Sequence, residues 1–167
     1  MIGLYPGSFD PITNGHLNII ERSTKIVSKL IIGVLDNCDK KSFFPLADRV
    51  AMIRESTKHL KNISIITFDG LLVDCAKINK ADIIIRGLRN LSDLHFETQL
   101  DVINKKLDNT IEIIYLISCD KYLHLSSSIV KEIALKKGDI SKFVPEAVVE
   151  RFRRRDIFKK TSSIFNT

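Results

Sequence analysis

Residues Tyr5 to His16, YPGSFDPITNGH, gather the chemistry-bearing types of this 167-residue chain into one short stretch. Gly7 lets the backbone approach a ligand closely, Ser8 offers a hydroxyl, and Asn14-Gly15-His16 falls where a following helix would open. A helix N-terminus leaves N–H groups without intrahelical partners and favours anions, so this is the grammar of a phosphate site. A proton-bearing imidazole there could donate to a phosphoryl oxygen. The same residues also suit an ordinary strand-to-helix loop with turns at Asp10-Pro11 and Asn14-Gly15. Neither GxGxxG nor GxxxxGKS/T occurs, which argues against a dinucleotide site and a P-loop and leaves another phosphate loop open.

Further along, Arg86 directly follows an apolar run and Arg89 opens the next helix; two guanidiniums suit clustered phosphates better than flexible lysines. Ser126, Ser127 and Ser128 precede another helix, where one serine would suffice as an N-cap and three favour a ligand. Asp93, Glu97 and Asp101 recur every four residues and read as a solvated helix face. Lys40 and Lys41 alone read as a solvated pair, and Tyr122 as packing or a stacking platform.

These residues need a scaffold, and the chain supplies it as short β-branched runs alternating with segments of helical period. Strands are expected at Ile2–Tyr5, Leu30–Leu35, Ile63–Phe68, Asp82–Ile85 and Glu112–Ile117, several too continuously apolar to carry a wet face. Leu17, Ile20 and Val27 mark a first helix, and Leu46, Val50 and Ile53 a second that opens after Pro45. A short third helix follows Gly70, a fourth covers Leu91–Leu107, a fifth Ser128–Lys137 with Gly138 as its stop, and a sixth starts at Pro145. The expectation is a single α/β domain, Rossmann-like and doubly wound. Its five-stranded parallel sheet has order 3-2-1-4-5, with helices on both faces and a C-terminal helix. Ligands of such sheets bind beyond the carboxyl ends of the strands at the switch point, where the first and fourth strands adjoin.

Lys and Arg number 26 against 20 Asp and Glu, with 44% hydrophobic residues, a profile that excludes disorder and fits one globular domain. The excess charge concentrates in RFRRRDIFKK, residues 151–160, so the body lacks the distributed positive face of a nucleic-acid reader. The layout expected is a domain over residues 1–150 and a basic C-terminal extension over 151–167, with the stretch from Thr161 dispensable to folding. No specific nucleic-acid partner is expected. Cys38, Cys75 and Cys119 form no CxxC pair, no carboxylate cluster suggests a metal cage, and no apolar run approaches a membrane span. With no basic segment before Arg22 to begin a signal peptide, a cytoplasmic location is expected.

A strand leading into GSFDPITNGH resembles the signature of the nucleotidylyltransferase superfamily, with Thr13-Asn14-Gly15-His16 at the HxGH position. KKSFFPLADR (Lys40–Arg49), IIIRGLRNLSDLHFE (Ile83–Glu97) and LSSSIVKE (Leu125–Glu132) resemble the bacterial phosphopantetheine adenylyltransferases, in the family's order and spacing from residue 2 to about residue 146. CDKY at Cys119–Tyr122 departs from the family's commoner Ser-Lys-Glu-aromatic wording and leaves the local loop shape open. The resemblance implies transfer of the adenylyl group of ATP to 4′-phosphopantetheine, with Mg²⁺ arriving on the nucleotide, by a homohexamer. It implies catalytic roles for His16, Ser8, Lys40 and Arg86. It places Ser8, Phe9, His16, Gly87, Leu88, Arg89, Glu97, Tyr122 and Ser126–Ser128 on ATP, and Ser8, Lys40, Leu72 and Arg86 on the acceptor. Nicotinamide mononucleotide and glycerol phosphate are the acceptors of related enzymes with the same first loop; RGLR with Glu97, and SSSIVKE, favour pantetheine.

Overall fold

The apolar runs become five parallel strands, β1 Ile2–Gly7, β2 Lys29–Leu35, β3 Ile63–Phe68, β4 Ile83–Leu88 and β5 Glu112–Ile117. Their order in the sheet is β3-β2-β1-β4-β5. The computed structural model describes residues 1–36 and 41–155. Among these described residues are six helices, α1 Asn14–Ser23, α2 Leu46–Ser56, α3 Leu72–Ile78, α4 Leu91–Leu107, α5 Ser127–Leu135 and α6 Glu146–Arg154, with a 3₁₀ turn at Asp120–Tyr122.

Alternation along the strands divides the core. Leu4, Ile31 and Ile84 point to one face, where Cys75 and Ala76 of α3 cover them. Tyr5, Ile32 and Ile85 point to the other, under residues of α1, α2, α5 and α6. The chain leaves β1 for β2 on one side and later returns to place β4 on the other, with Gly3 opposite Ile83 and Leu4 opposite Ile84. The carboxyl ends of β1 and β4 therefore flank the crevice that a reversal of strand order creates.

Several boundaries differ from expectation for local reasons. β1 and β4 run to Gly7 and Leu88, so Arg86 lies inside its strand, opposite Tyr115. α1 ends at Ser23, and Val27 reaches the core from the connecting loop. α5 opens one residue early, with Ser126 as N-cap, and ends at Leu135. Beyond it Lys137 adopts φ 61°, and a Cβ on Gly138 would stand 2.7 Å from the Ile133 side chain, so the glycine serves close approach.

Of the basic stretch expected from residue 151, Arg151–Arg154 form the second half of α6, and residues 156–167 lie outside the described residues. Val148, Val149 and Phe152 are buried, and Phe152 packs edge-on against Phe44, ring centroids 5.0 Å apart. The arginines around it are engaged: Arg151 with Asp48 (2.6 Å), Arg153 with Glu146 (3.2 Å), and Arg155 over the rings of Phe43 and Phe44.

α4 is inside out. Asp93, Glu97 and Asp101 turn toward the sheet, whereas Leu91, Phe96, Val102, Ile103 and Leu107 are exposed. The acidic stripe is thus an inward-facing one, correcting its reading as a solvated face. Among the described residues no helix is long and apolar enough to cross a membrane.

Candidate active site

The crevice between β1 and β4 opens into a cleft of about 350 Å³. It collects Ser8, Phe9 and His16 from the first loop, Arg86 and Gly87 from β4, Arg89, Glu97 from α4, Tyr122 from the 3₁₀ turn, and Ser126, Ser127 and Ser128 from the start of α5. Two expected residues are elsewhere. Leu88 is buried and its carbonyl accepts from the Ser118 N–H at 2.8 Å, because β4 continues through it into the sheet. Leu72, the first residue of α3, packs against the core cluster on the opposite face. Lys40 lies outside the described residues, as does Cys38.

His16 is held by the residue that caps its helix. Thr13, extended at φ −119°, accepts from the His16 N–H through its side chain, and its own N–H donates to His16 Nδ1 at 3.1 Å. This is a capping box in which histidine takes the third-position role usual for Glu or Gln. A backbone N–H can only donate, so Nδ1 must be the unprotonated nitrogen, and the neutral ring carries its hydrogen on Nε2. Burial, reinforced by the positive charge of Arg89, lowers the imidazole from an ordinary 6.5 to about 4. The ring at physiological pH is a neutral donor lining the cleft.

This depression carries a stability signature. Above pH 6.5 neither the folded nor the unfolded histidine is charged; as pH falls toward 4, the unfolded chain takes up a proton that the folded one refuses. Stability is therefore lost across that window, by at most about 3 kcal/mol. Thermal midpoints of the wild type and His16→Asn, measured from pH 8 to pH 5, are expected to converge as pH falls. Parallel curves would remove His16 from the acid response.

Arg86, Arg89 and Glu97 line the opposite wall, and Asp93, which does not line it, pairs with Arg89. Arg86 donates through Nε to Glu97 Oε2 at 2.6 Å, and its Nη2 lies 2.6 Å from the same oxygen. Arg89 reaches both oxygens of Asp93, at 2.9 and 3.1 Å. Burial alone would raise the Asp93 carboxyl, but the hydrogen bonds from Arg89 outweigh it and hold the group below the usual carboxylate range. The Tyr5 phenol is buried at the floor of the cleft, and desolvation keeps it un-ionised.

At the third wall, the three serines divide their work. Ser126 caps α5 by accepting from the Ile129 N–H, Ser127 donates to the Pro11 carbonyl at 2.7 Å, and Ser128 faces the cleft. Ser127 thus stitches α5 to the first loop, while the N–H groups of Ser127 and Ser128, with no acceptor among the described residues, stay available to an anion. The arrangement as a whole presents a neutral imidazole donor, two guanidiniums and a helix N-terminus to one volume. It can bind and stabilise a chain of phosphates.

Three contributors escape a reading of residue types, although one of them left a signal in its spacing. Thr13 was legible from its spacing to His16. Asp10 accepts from the Phe43 and Phe44 N–H groups at 2.8 Å each and from Lys131 at 3.1 Å, across sequence separations that no local pattern reveals. Arg49, 1% exposed, lies on the face of α2 that also buries Met52 and Ile53.

A fold and cleft of this kind match the cytidylyltransferase-like family, whose model covers residues 4–133, and the chain belongs to that family. Within it, phosphopantetheine adenylyltransferases are similar along nearly their whole length. That of Clostridium botulinum (strain Eklund 17B / Type B) is 48% identical over 154 residues, 92% of this chain and 97% of the relative. That of Finegoldia magna is 52% identical over 152 residues, 91% of this chain and 94% of the relative. A solved structure described as a putative nicotinate-nucleotide adenylyltransferase from Vibrio parahaemolyticus shares the fold, with TM-score 0.70 at 16% identity and 96% of each chain covered.

Proposed function

We propose that the chain is a pantetheine-phosphate adenylyltransferase. It moves the adenylyl group reversibly from ATP to 4′-phosphopantetheine, giving dephospho-coenzyme A and pyrophosphate in coenzyme A biosynthesis. The observation that carries this reading is His16: neutral, locked by Thr13 into the Nε2–H form, and opposite Arg86 and Arg89 in one cleft. Its support from kinship is the near-complete match to phosphopantetheine adenylyltransferases.

An oxygen of the pantetheine phosphate attacks the α-phosphorus of ATP as the bond from that phosphorus to the bridging oxygen of the β-phosphate breaks. The nucleophile is already ionised, so no base has to remove a proton, and positioning with charge stabilisation supplies the rate. His16 donates through Nε2 to an α-phosphoryl oxygen where charge gathers. Arg86, Arg89 and the opening of α5 hold the β- and γ-phosphates, with Ser8 and the Phe9 N–H contacting phosphate from the first loop. Lys40 holds the attacking phosphate, Tyr122 lies beside the adenine, and Leu72, at the start of α3 and outside this cleft, belongs to a separate pantetheine groove.

Magnesium comes with the nucleotide. Among the described residues no cluster of three or more His, Cys, Asp or Glu side chains could cage an ion, and Glu97 in the cleft and Asp93 near it are each engaged by an arginine. The exposed apolar face of α4 supports self-association, which we read as a homohexamer in which this face is covered. The unpaired thiols Cys75 and Cys119 suit a cytoplasmic setting.

Pyrophosphate release from ATP and Mg²⁺ tests the reading when 4′-phosphopantetheine is compared with nicotinamide mononucleotide. Release only with phosphopantetheine is the expected result. Release only with the mononucleotide would keep the cleft and overturn the acceptor.

A further inference from the structure

Arg49 is a guanidinium buried in the core that does not itself line the cleft. Its Nη1 donates to two carbonyls, Ser8 at 2.9 Å and Leu35 at 2.8 Å, its Nη2 reaches the Asp36 carboxylate at 3.2 Å, and its Nε has no partner among the described residues. Asp36, its one carboxylate partner among the described residues, is half exposed. A buried charge so sparingly compensated is a weak stabiliser of a fold, which directs attention to what it holds.

What it holds is the peptide between Ser8 and Phe9. That peptide is trans, so its N–H points opposite to its C=O. With the Ser8 carbonyl turned inward to Arg49, the Phe9 N–H turns outward, where Ser8 and Phe9 line the cleft and no described group accepts from it. The orientation is strained. Phe9 has φ 46°, in the left-handed region that a phenylalanine rarely occupies. Rotating the peptide plane by roughly 180° would release that strain at φ of Phe9 and ψ of Ser8, and would present a carbonyl oxygen to the cleft instead of an N–H. The Phe9 ring cannot follow the backbone out, because it is wedged edge-on between Tyr5 and His16, centroids 5.5 and 5.2 Å away.

We propose that Arg49 is a positioning residue: from inside the core it captures the Ser8 carbonyl and so keeps the strained Ser8–Phe9 peptide with its N–H aimed at the phosphates. Arg49 touches no ligand itself. This rests on the reading of the cleft as an ATP site.

The test separates the phosphates from the rest of the nucleotide by measuring equilibrium binding of ATP and of adenosine to wild type and to Arg49→Lys. Lysine keeps the charge but loses the planar fork that serves two carbonyls and a carboxylate at once. The wild type is expected to prefer ATP, and in Arg49→Lys that preference is expected to shrink about 10- to 100-fold, the loss of one charge-assisted hydrogen bond, with adenosine binding within about twofold of wild type. An unchanged preference, or an equal weakening of both ligands, would overturn the proposal. A wild type that binds ATP no better than adenosine would instead overturn the ATP reading of the cleft, and the proposal with it. Should Arg49→Lys fail to fold, the amide of Phe9 in the ¹⁵N-labelled wild-type protein gives the answer: a downfield proton shift with ATP and none with adenosine supports the proposal, and no shift with ATP refutes it.

Discussion

Replacing His16 with alanine is expected to lower kcat by about 10²- to 10³-fold, the cost of removing one preorganised donor from a developing phosphoryl charge. The KM for ATP should change far less, because the donor matters most where charge is greatest. The ring needs no proton from solution to do this. With its hydrogen fixed on Nε2 and its ionisation near 4, the free enzyme should show no titration of His16 around 6.5 in kcat/KM. His16→Asn, able to donate from a shorter side chain, should recover only part of the loss. Steady-state rates from pH 5 to pH 8 check both points, and a folded His16→Ala enzyme with undiminished kcat would exclude the residue from the mechanism.

Arg86→Ala is expected to lower kcat/KM for ATP by about 10²- to 10³-fold, for a reason that goes beyond the missing cation. Arg86 and Glu97 are close partners, both N–H groups falling on Oε2 at 2.6 Å. Removing the arginine leaves the Glu97 carboxylate uncompensated on a wall that must receive phosphates. The double variant Arg86→Ala/Glu97→Ala should therefore be less impaired than Arg86→Ala alone, a coupling that independent sites would not show. Arg86→Lys should rescue little, since an ammonium cannot both satisfy Glu97 and present a planar edge to a phosphate. Strict additivity in the cycle would mean that Glu97 does not tune this wall.

Much of this site was legible because its residues sit next to features that sequence displays well. The first loop connects a β-branched run to a helical period, and Arg86 terminates the apolar part of another run, so topology alone brings both to the switch point. The alternation of runs and helices indicated a parallel sheet, and its order, expected for a doubly wound fold, is the one observed. What stayed hidden were pairings across elements. Asp93 and Glu97 carry the spacing of a solvated stripe, and only the packing of α4 shows them facing Arg89 and Arg86. Arg49 was a polar interruption in an amphipathic helix, whereas the helix buries it. Phe152 stood within RFRRR, where the charge run masked the period of Val148, Val149 and Phe152 that seats α6 on the core. Apolar residues on α4 matched the spacing of core, yet in the single chain they face outward.

The central claim is that the phosphate of pantetheine, and not water or a side chain of the enzyme, attacks the α-phosphorus of ATP. Product mass with acceptor carrying ¹⁸O in its three non-ester phosphate oxygens tests it most directly. The account predicts dephospho-coenzyme A that retains all of the label and pyrophosphate that contains none. Label in the pyrophosphate, or product short of one labelled oxygen, would contradict it.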